Sequence, residues 1–156
     1  MTNSRKGVRI GRILGLALVL NLALAAAAAA SPRDSVVIDL DTVIGSGVGT
    51  WEASGAIDDA GTFVFSSVHA RGNFTQVRTV HIVIEFTGAE GTFTARLQTR
   101  IGIEPACVWP DNGHWVIVSG TGAYDGLKGT GSHASDVNVC TGSAPAEWDG
   151  SVHRHG

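Results

Sequence analysis

From Ser35 onward, apolar and polar residues alternate along the chain, so that apolar residues recur at every second position. Clusters of Gly, Asp and Asn interrupt the pattern. A period of two is typical of β-strands, and no segment has the 3.6-residue period of an amphipathic helix. The pattern predicts eight strands: Val36–Val43, Val48–Ile57, Thr62–Phe74, Val77–Phe86, Thr92–Ile103, His114–Ser119, Lys128–Val139 and Trp148–His153. Eight short strands with turn signals between them predict an all-β domain, either a small antiparallel up-and-down barrel or a sandwich. We favour the barrel, because closure removes exposed sheet edges and glycines within strands allow strong coiling.

The alternation also assigns a face to each side chain. On Val77–Phe86 the apolar residues at even positions share one face, and His81 and Glu85 lie on the other. On Thr92–Ile103 an apolar face lies opposite Arg96 and the polar residues that follow it at even positions. If these strands pair as a hairpin, the two polar faces meet as ordinary cross-strand pairs. An apolar interior and a charged exterior are therefore predicted.

The glycine-rich stretch Ser119–Gly131, SGTGAYDGLKGTG, is predicted to form a tight corner of the barrel. Asp125-Gly126 suits a turn in which the glycine has a positive φ. Tyr124 and Leu127 are large enough to pack under the corner. The glycines that surround them, which let the strands bend sharply, are Gly120, Gly122, Gly126, Gly129 and Gly131.

The same stretch carries a family resemblance. GTGAYDGLKGTG resembles the signature GTG-[AF/Y]-x-G-[LA]-x-G of the allene oxide cyclase and dirigent barrels and of their mostly bacterial, secreted relatives, over about a dozen residues. The resemblance implies a single eight-stranded barrel with a partly apolar interior. It carries over no catalytic residue, because no cyclase active-site motif can be placed on this sequence.

The first thirty residues are predicted to be a cleaved secretory signal, which leaves a single barrel domain over residues 31–156. A basic start is followed by an apolar segment, Ile13–Leu24, and by small residues before Ser31-Pro32, as in signal peptides. An uncleaved membrane anchor is the alternative. Removal of residues 1–30 takes away four of the eleven Lys and Arg and no acidic residue, so the mature chain has a formal charge of −7. This acidic chain disfavours nucleic acid as a partner, and after cleavage no membrane association is expected.

Two cysteines remain in the exported chain, Cys107 and Cys140. A disulfide between them is the expected pairing in an oxidising compartment. It would connect the loop before the His114 strand to the strand that follows the glycine corner.

Candidate catalytic groups are the titratable residues within predicted strands: His69, His81, Glu85 and His114. An inward histidine beside a carboxylate could act as a general acid or base. Gly129–Ala134 fits GxGxxA, but the strand and helix that a dinucleotide site requires are not predicted around it. No cofactor and no metal site are predicted.

The aromatic residues favour a hydrophobic interior that holds a ligand. An eight-stranded barrel can pack solid or enclose one small molecule, and the sequence leaves both open. The leading hypothesis is a barrel that binds a small apolar molecule, with Trp51, Phe65 and Trp115 lining the pocket. The alternatives are an enzyme of the cyclase or isomerase kind that uses such a pocket, and a solid-core structural protein that works through its outer wall or as an oligomer.

Overall fold

The computed structural model describes residues 33–72 and 77–154, and these form an all-β fold. The strands are β1 (Asp34–Thr42), β2 (Val48–Gly55), β3 (Asp59–Gly72), β4 (Val77–Gly88), β5 (Gly91–Gly102), β6 (Val108–Gly122), β7 (Leu127–Asn138) and β8 (Ala146–Arg154). The predicted fold class is confirmed. The predicted signal peptide over residues 1–30 lies outside the described residues, as does the predicted end of the third strand at Phe74.

Strand pairing closes the sheet. Each strand pairs antiparallel with its neighbours in the chain, and β1 pairs with both β2 and β8. Following register partners once around the barrel leads from Arg78 on β4 to Gly88 on the same strand, a stagger of ten residues. Staggered strands tilt by about 35–45° to the barrel axis, and eight of them leave room for side chains or one small ligand. The barrel prediction is confirmed, and the sandwich alternative is wrong.

Side chains alternate between the barrel interior and the outer wall as the sequence predicts. On β4, Val80, Ile84 and Phe86 are buried, whereas His81 and Glu85 are exposed. The buried apolar core is formed by residues from every strand together with the corner that follows β6: Val36, Ile38, Leu40, Trp51, Ala53, Ile57, Phe63, Ile84, Phe86, Phe93, Ala95, Leu97, Trp115, Ile117, Tyr124, Leu127, Trp148 and Val152. Because burial of apolar area is the main stabilising term, this interior holds the fold together.

The two ends of the barrel differ. We call one end of the barrel the closed end; it carries the turns at residues 56–58, 89–90 and 123–126. The other end, which carries the loops at residues 43–47, 103–107 and 139–145, is the open end. The disulfide Cys107–Cys140 lies at the open end, where it joins the loop before β6 to the loop after β7, with 5.2 Å between the two Cα atoms. The predicted pairing of the cysteines is confirmed.

The glycine corner forms the turn between β6 and β7 at the closed end. Gly126 has a φ of 69°, in the left-handed region where a side chain is strained. The backbone N–H of Leu127 donates to the Tyr124 carbonyl at 3.0 Å, which closes the turn. Tyr124 and Leu127 are both buried beneath it.

The Tyr124 side chain connects the corner to the other turns of the closed end. Its hydroxyl donates to the Asp59 carboxylate at 2.6 Å, and the same carboxylate accepts from the backbone N–H groups of Ala60, Ala89 and Glu90. The Tyr124 hydrogen bond is the main cause that lowers the pKa of Asp59. Burial, followed by the hydrogen bond and the charge of Asp59, raises the pKa of Tyr124 well above its ordinary value of 10.0.

Tyr124 is the only tyrosine in the chain, so its ionisation can be followed directly. We expect no tyrosinate absorbance near pH 10 in the folded protein, because folding raises the pKa of Tyr124. Near that pH only the unfolded state releases the phenolic proton, so a rise in pH favours unfolding. Stability contributed by Tyr124 is therefore present below pH 10 and is lost as the pH rises toward the folded-state pKa. A spectrophotometric pH titration combined with urea unfolding measures both effects.

In the Asp59→Asn variant, Tyr124 should titrate at a lower pH than in the wild type. Its pKa should stay above the ordinary tyrosine value, because burial raises it more than Asp59 does. Asp58→Asn is the matched control, since Asp58 is the exposed neighbour and the Tyr124 hydroxyl donates to Asp59 instead. A wild-type titration at the ordinary tyrosine pKa with the barrel still folded would contradict this account.

Candidate functional site

A cavity of about 490 Å³ occupies the barrel interior at the open end. Its wall is mainly apolar and is formed by inward side chains of β1 and of β3 to β8, together with the loops at residues 43–47 and 139–145. The apolar residues that line it are Leu40, Val43, Ile44, Phe63, Phe65, Val68, Ala70, Val80, Ile82, Ile84, Leu97, Ile101, Val137, Ala144, Ala146 and Trp148. The lumen is therefore hollow at this end.

Aromatic rings fill the lumen beyond the cavity. Trp148 lines the cavity, and its indole stacks on that of Trp115 with ring centroids 5.3 Å apart and planes within 10°. Phe86 packs against Trp148 at 5.5 Å and stacks on Phe93 at 4.4 Å. These contacts form a solid floor, so the cavity ends partway down the barrel.

Two polar side chains stand at inward positions on β6 and β7, where the alternation would otherwise place apolar residues. They are Asp111 and His133, each only 6% exposed, and both line the cavity. In the β6–β7 register Asp111 is paired with Ser135, and Gly113 with His133. Asp111 and His133 are thus diagonal neighbours on one face, and such neighbours are within reach of long side chains.

Hydrogen bonds connect these residues into a buried chain. The indole N–H of Trp148 donates to Nδ1 of His133 at 2.8 Å. Nε2 of His133 lies 3.3 Å from Oδ2 of Asp111, and the Thr99 hydroxyl donates to Oδ1 of Asp111. Thr99 is also buried. Because buried polar groups are costly unless they are paired, this network is what allows a carboxylate to be placed inside the barrel.

The network determines the tautomer of His133. An indole N–H can only donate, so Nδ1 of His133 must accept and carries no proton. The proton of the neutral ring is therefore on Nε2, which donates it to Asp111. Both ring nitrogens of His133 are occupied by protein partners, and the imidazole acts as a fixed spacer between Trp148 and Asp111.

Three further polar residues line the cavity: Thr42, Arg78 and Ser135. The Ser135 hydroxyl donates to the Pro145 carbonyl at 2.6 Å. Arg78 lies near the open end at the start of β4, and Ile101 is the register partner of both Arg78 and Asp111. Each step from a residue to its register partner on the next strand leads closer to the closed end. Asp111 is two such steps from Arg78, so it lies deeper in the barrel than Arg78.

The four residues predicted as catalytic candidates all lie on the outer wall. His69, His81, Glu85 and His114 are exposed. His69 is the register partner of His81, and Gln98 is the partner of both His81 and His114, so the three histidines stand in one row across β3 to β6. This row is outside the cavity. The described residues hold no cluster of three or more His, Cys, Asp or Glu side chains that could hold a metal ion.

The three residues predicted to line a pocket occupy two different places. Phe65 lines the cavity. Trp51 and Trp115 are buried in the packed part of the core: Trp51 contacts Phe86 and Phe93 edge-on, and Trp115 stacks on Trp148. Sequence reasoning therefore located one wall residue of the cavity and two residues of the packed aromatic core.

Asp111 and His133 were missed by the sequence analysis. Asp111-Asn112-Gly113 is typical of a turn, so β6 was predicted to begin at His114, whereas it begins at Val108. His133 lies within the glycine pattern that was considered for phosphate binding. Counting back in twos from the apolar positions Ile117 and Trp115 would have placed Asp111 on the inward face.

Fold and site together define a small closed antiparallel β-barrel with one disulfide and an internal apolar cavity that carries a buried carboxylate at its wall. Comparison of the chain with protein-family models, with curated proteins and with solved structures finds no match. Within residues 33–72 and 77–154 there is no helix long and apolar enough to cross a membrane.

Proposed function

We propose that this protein binds a small, largely apolar molecule inside the barrel. One observation carries the proposal: the lumen contains a cavity of about 490 Å³ with a mainly apolar wall. Ligand pockets usually have volumes of roughly 300–1,000 Å³, apolar walls and a few convergent polar groups. The glycine corner resembles that of the allene oxide cyclase and dirigent barrels, and this resemblance supports the same function. Membership of that family stays a prediction.

The open end offers access to the cavity. Val43 and Ile44, in the loop at residues 43–47, line the cavity and are also 62% and 43% exposed. Apolar side chains at the mouth of an apolar cavity extend the binding surface towards solvent. Exposed apolar groups of this kind often mark binding sites.

A neutral dye whose fluorescence rises in apolar surroundings, such as N-phenyl-1-naphthylamine, tests the proposal. We expect saturable binding of one dye per chain. The Val80→Trp variant should bind about tenfold more weakly or worse, because Val80 lines the cavity and a larger side chain fills it.

Thr79→Trp is the matched control. Thr79 is the register partner of Arg71 and of the exposed Arg100, so its side chain is on the outer wall. Dye binding that both variants reduce equally, or the absence of saturable binding by the wild type, would contradict the proposal. The second result would favour the alternative of a structural barrel that works through its outer wall or as an oligomer.

Catalysis in the same cavity, by an enzyme of the cyclase or isomerase kind, is a second candidate function. The observation that favours it is the Asp111 carboxylate, which two neutral donors orient at an apolar cavity wall, as general acid–base groups often are. Chromatography of the small molecules retained by the wild type and by Asp111→Asn tests it. An enzyme should retain different mixtures of substrate and product in the two cases, whereas a binding protein should retain the same compound.

We also propose that the chain is exported with its first thirty residues removed. The disulfide Cys107–Cys140 supports this, because disulfides persist in oxidising compartments. The intact mass of protein recovered from the culture medium tests the proposal. A mass that corresponds to a chain beginning at Ser31 agrees with export and cleavage. Retention of the full-length chain in the cell contradicts the proposal.

A further inference from the structure

We propose that the molecule bound in the barrel has an apolar body and one polar head that is a hydrogen-bond donor without negative charge, and that this head contacts Asp111. The ligand class is thus an apolar alcohol or amine rather than an apolar carboxylic acid. This inference rests on the proposed function, because it describes the occupant of the same cavity.

The first step concerns the unused bonding capacity of Asp111. An ionised carboxylate has about four lone-pair positions that accept hydrogen bonds. Protein donors occupy two of them, the Thr99 hydroxyl at Oδ1 and the His133 ring at Oδ2. Asp111 also lines the cavity. A carboxylate with acceptor positions to spare at the wall of an apolar cavity is matched by a ligand that donates.

The second step identifies Asp111 as the group of the network that meets the ligand. His133 uses Nδ1 to accept from Trp148 and Nε2 to donate to Asp111, so neither ring nitrogen is left for a ligand. The Thr99 hydroxyl is buried and lies within reach of both Asp111 and the Asn112 carbonyl. His133, Thr99 and Trp148 are therefore positioning residues, and they hold the carboxylate in one orientation.

The third step concerns the wall around Asp111, which is mainly apolar both towards the mouth and towards the floor of the cavity. Asp111 lies deeper along the row of register partners than Arg78, which is at the start of β4 near the open end. Val43 and Ile44 lie at the mouth, and Leu97 lines the cavity deeper than Asp111. When the donor head contacts Asp111, the apolar body therefore has apolar wall to contact on both sides of it.

The fourth step concerns the charge of the head. An anionic head beside Asp111 would place two like charges in surroundings of low dielectric, where their repulsion is strong. A hydroxyl or an ammonium group instead forms a hydrogen bond to a charged acceptor, which is among the stronger kinds. Among the described residues that line the cavity, the cationic side chain is that of Arg78, which lies in the outer part, on a strand that does not neighbour that of Asp111.

Four probes of matched chain length separate these possibilities by isothermal titration calorimetry on the wild-type protein at neutral pH. They are 1-octanol, octylamine, octanoate and 1-methoxyheptane, which is an isomer of octanol that accepts hydrogen bonds but does not donate. We expect octanol and octylamine to bind about tenfold or more tightly than the ether and octanoate, since a hydrogen bond to a charged group is worth that much.

The Asp111→Asn variant should reduce the advantage of octanol over the ether to about threefold or less, while the affinity of the ether stays the same. Asp136→Asn is the matched control, because Asp136 is exposed on the outer wall of the same pair of strands, and it should keep the wild-type ranking. The ranking on the wild type decides the question even if Asp111→Asn does not fold.

The outcomes separate the two proposals. If none of the four probes binds, the proposed function fails and this inference fails with it. If all four bind with equal affinity, or if octanoate binds most tightly, the cavity binds apolar molecules and the assignment of a donor head at Asp111 is wrong. An unchanged ranking in Asp111→Asn would likewise overturn it.

Discussion

Replacement of Trp115 by alanine is expected to lower the free energy of unfolding by about 3 to 5 kcal/mol, which is the usual cost of removing a buried tryptophan. The side chain has no exposed surface. Its indole stacks on Trp148, and its N–H donates to the Ser132 carbonyl at 2.9 Å. The variant therefore loses apolar burial, a ring contact and a partly buried hydrogen bond together. Urea unfolding followed by circular dichroism measures the change.

The backbone around Trp115 leaves little room for the core to collapse into the space. Gly131 and Gly150 are register partners, and a Cβ atom on either would lie within 2.7 Å of the Trp115 ring. The indole thus rests directly on two bare strands, and alanine at position 115 would leave a void above them. A poorly filled void is what makes such substitutions costly.

Trp109→Ala is the control for the loss of an indole as such. Trp109 is half-buried near the open end, and its N–H donates to the Glu104 and Ala106 carbonyls of the adjacent loop. We expect this variant to lose no more than about 1 to 2 kcal/mol, as is usual outside the core. Equal losses from the two tryptophans would show that the stacked aromatic core is not the main source of stability.

Removal of the disulfide by the double substitution Cys107→Ser and Cys140→Ser is expected to lower the free energy of unfolding by about 3 to 4 kcal/mol. The bridge joins residues 33 positions apart in the sequence, so the unfolded chain gains much conformational freedom when it is absent. The variant and the reduced wild type should unfold at the same urea concentration, and both below the oxidised wild type.

The location of the bridge gives a second expected result. It connects two loops of the open end, far from Tyr124 and Asp59 at the closed end. The tyrosine titration should therefore be the same in the double variant and in the wild type while the barrel is folded. A change in the Tyr124 pKa, or a stability loss below about 1 kcal/mol, would contradict the view that the bridge acts on the unfolded chain and on the open end alone.

Most of the fold could be predicted because the information is local. Alternation on β4 and β5 places every second side chain on one face, and a barrel of this size must fill that face with apolar groups. The glycine corner could also be predicted from local sequence, since Gly126 has the positive φ that Asp-Gly turns require. Tyr124 and Leu127 are the only large apolar side chains in the stretch, and both are buried there.

The candidate site could not be predicted in the same way, because depth inside a barrel is not a local property. Trp51, Phe65 and Trp115 all face inward, yet only Phe65 lines the cavity. Asp111 and His133 were hidden by signals that are typical of turns and of glycine-rich loops. His81, Glu85 and His114 occupy polar positions of the alternation, and such positions face solvent.

The amino-acid sequence by itself determined the strands, the face of most side chains, the corner and the pairing of the two cysteines, since each depends on neighbours in the chain or on a single possible partner. Only the tertiary structure decided where the lumen is packed and where it is hollow. Strand pairing brings Thr99, Asp111, His133 and Trp148 from four strands into contact. That meeting of distant residues, which no local pattern encodes, places a carboxylate at the wall of an apolar cavity.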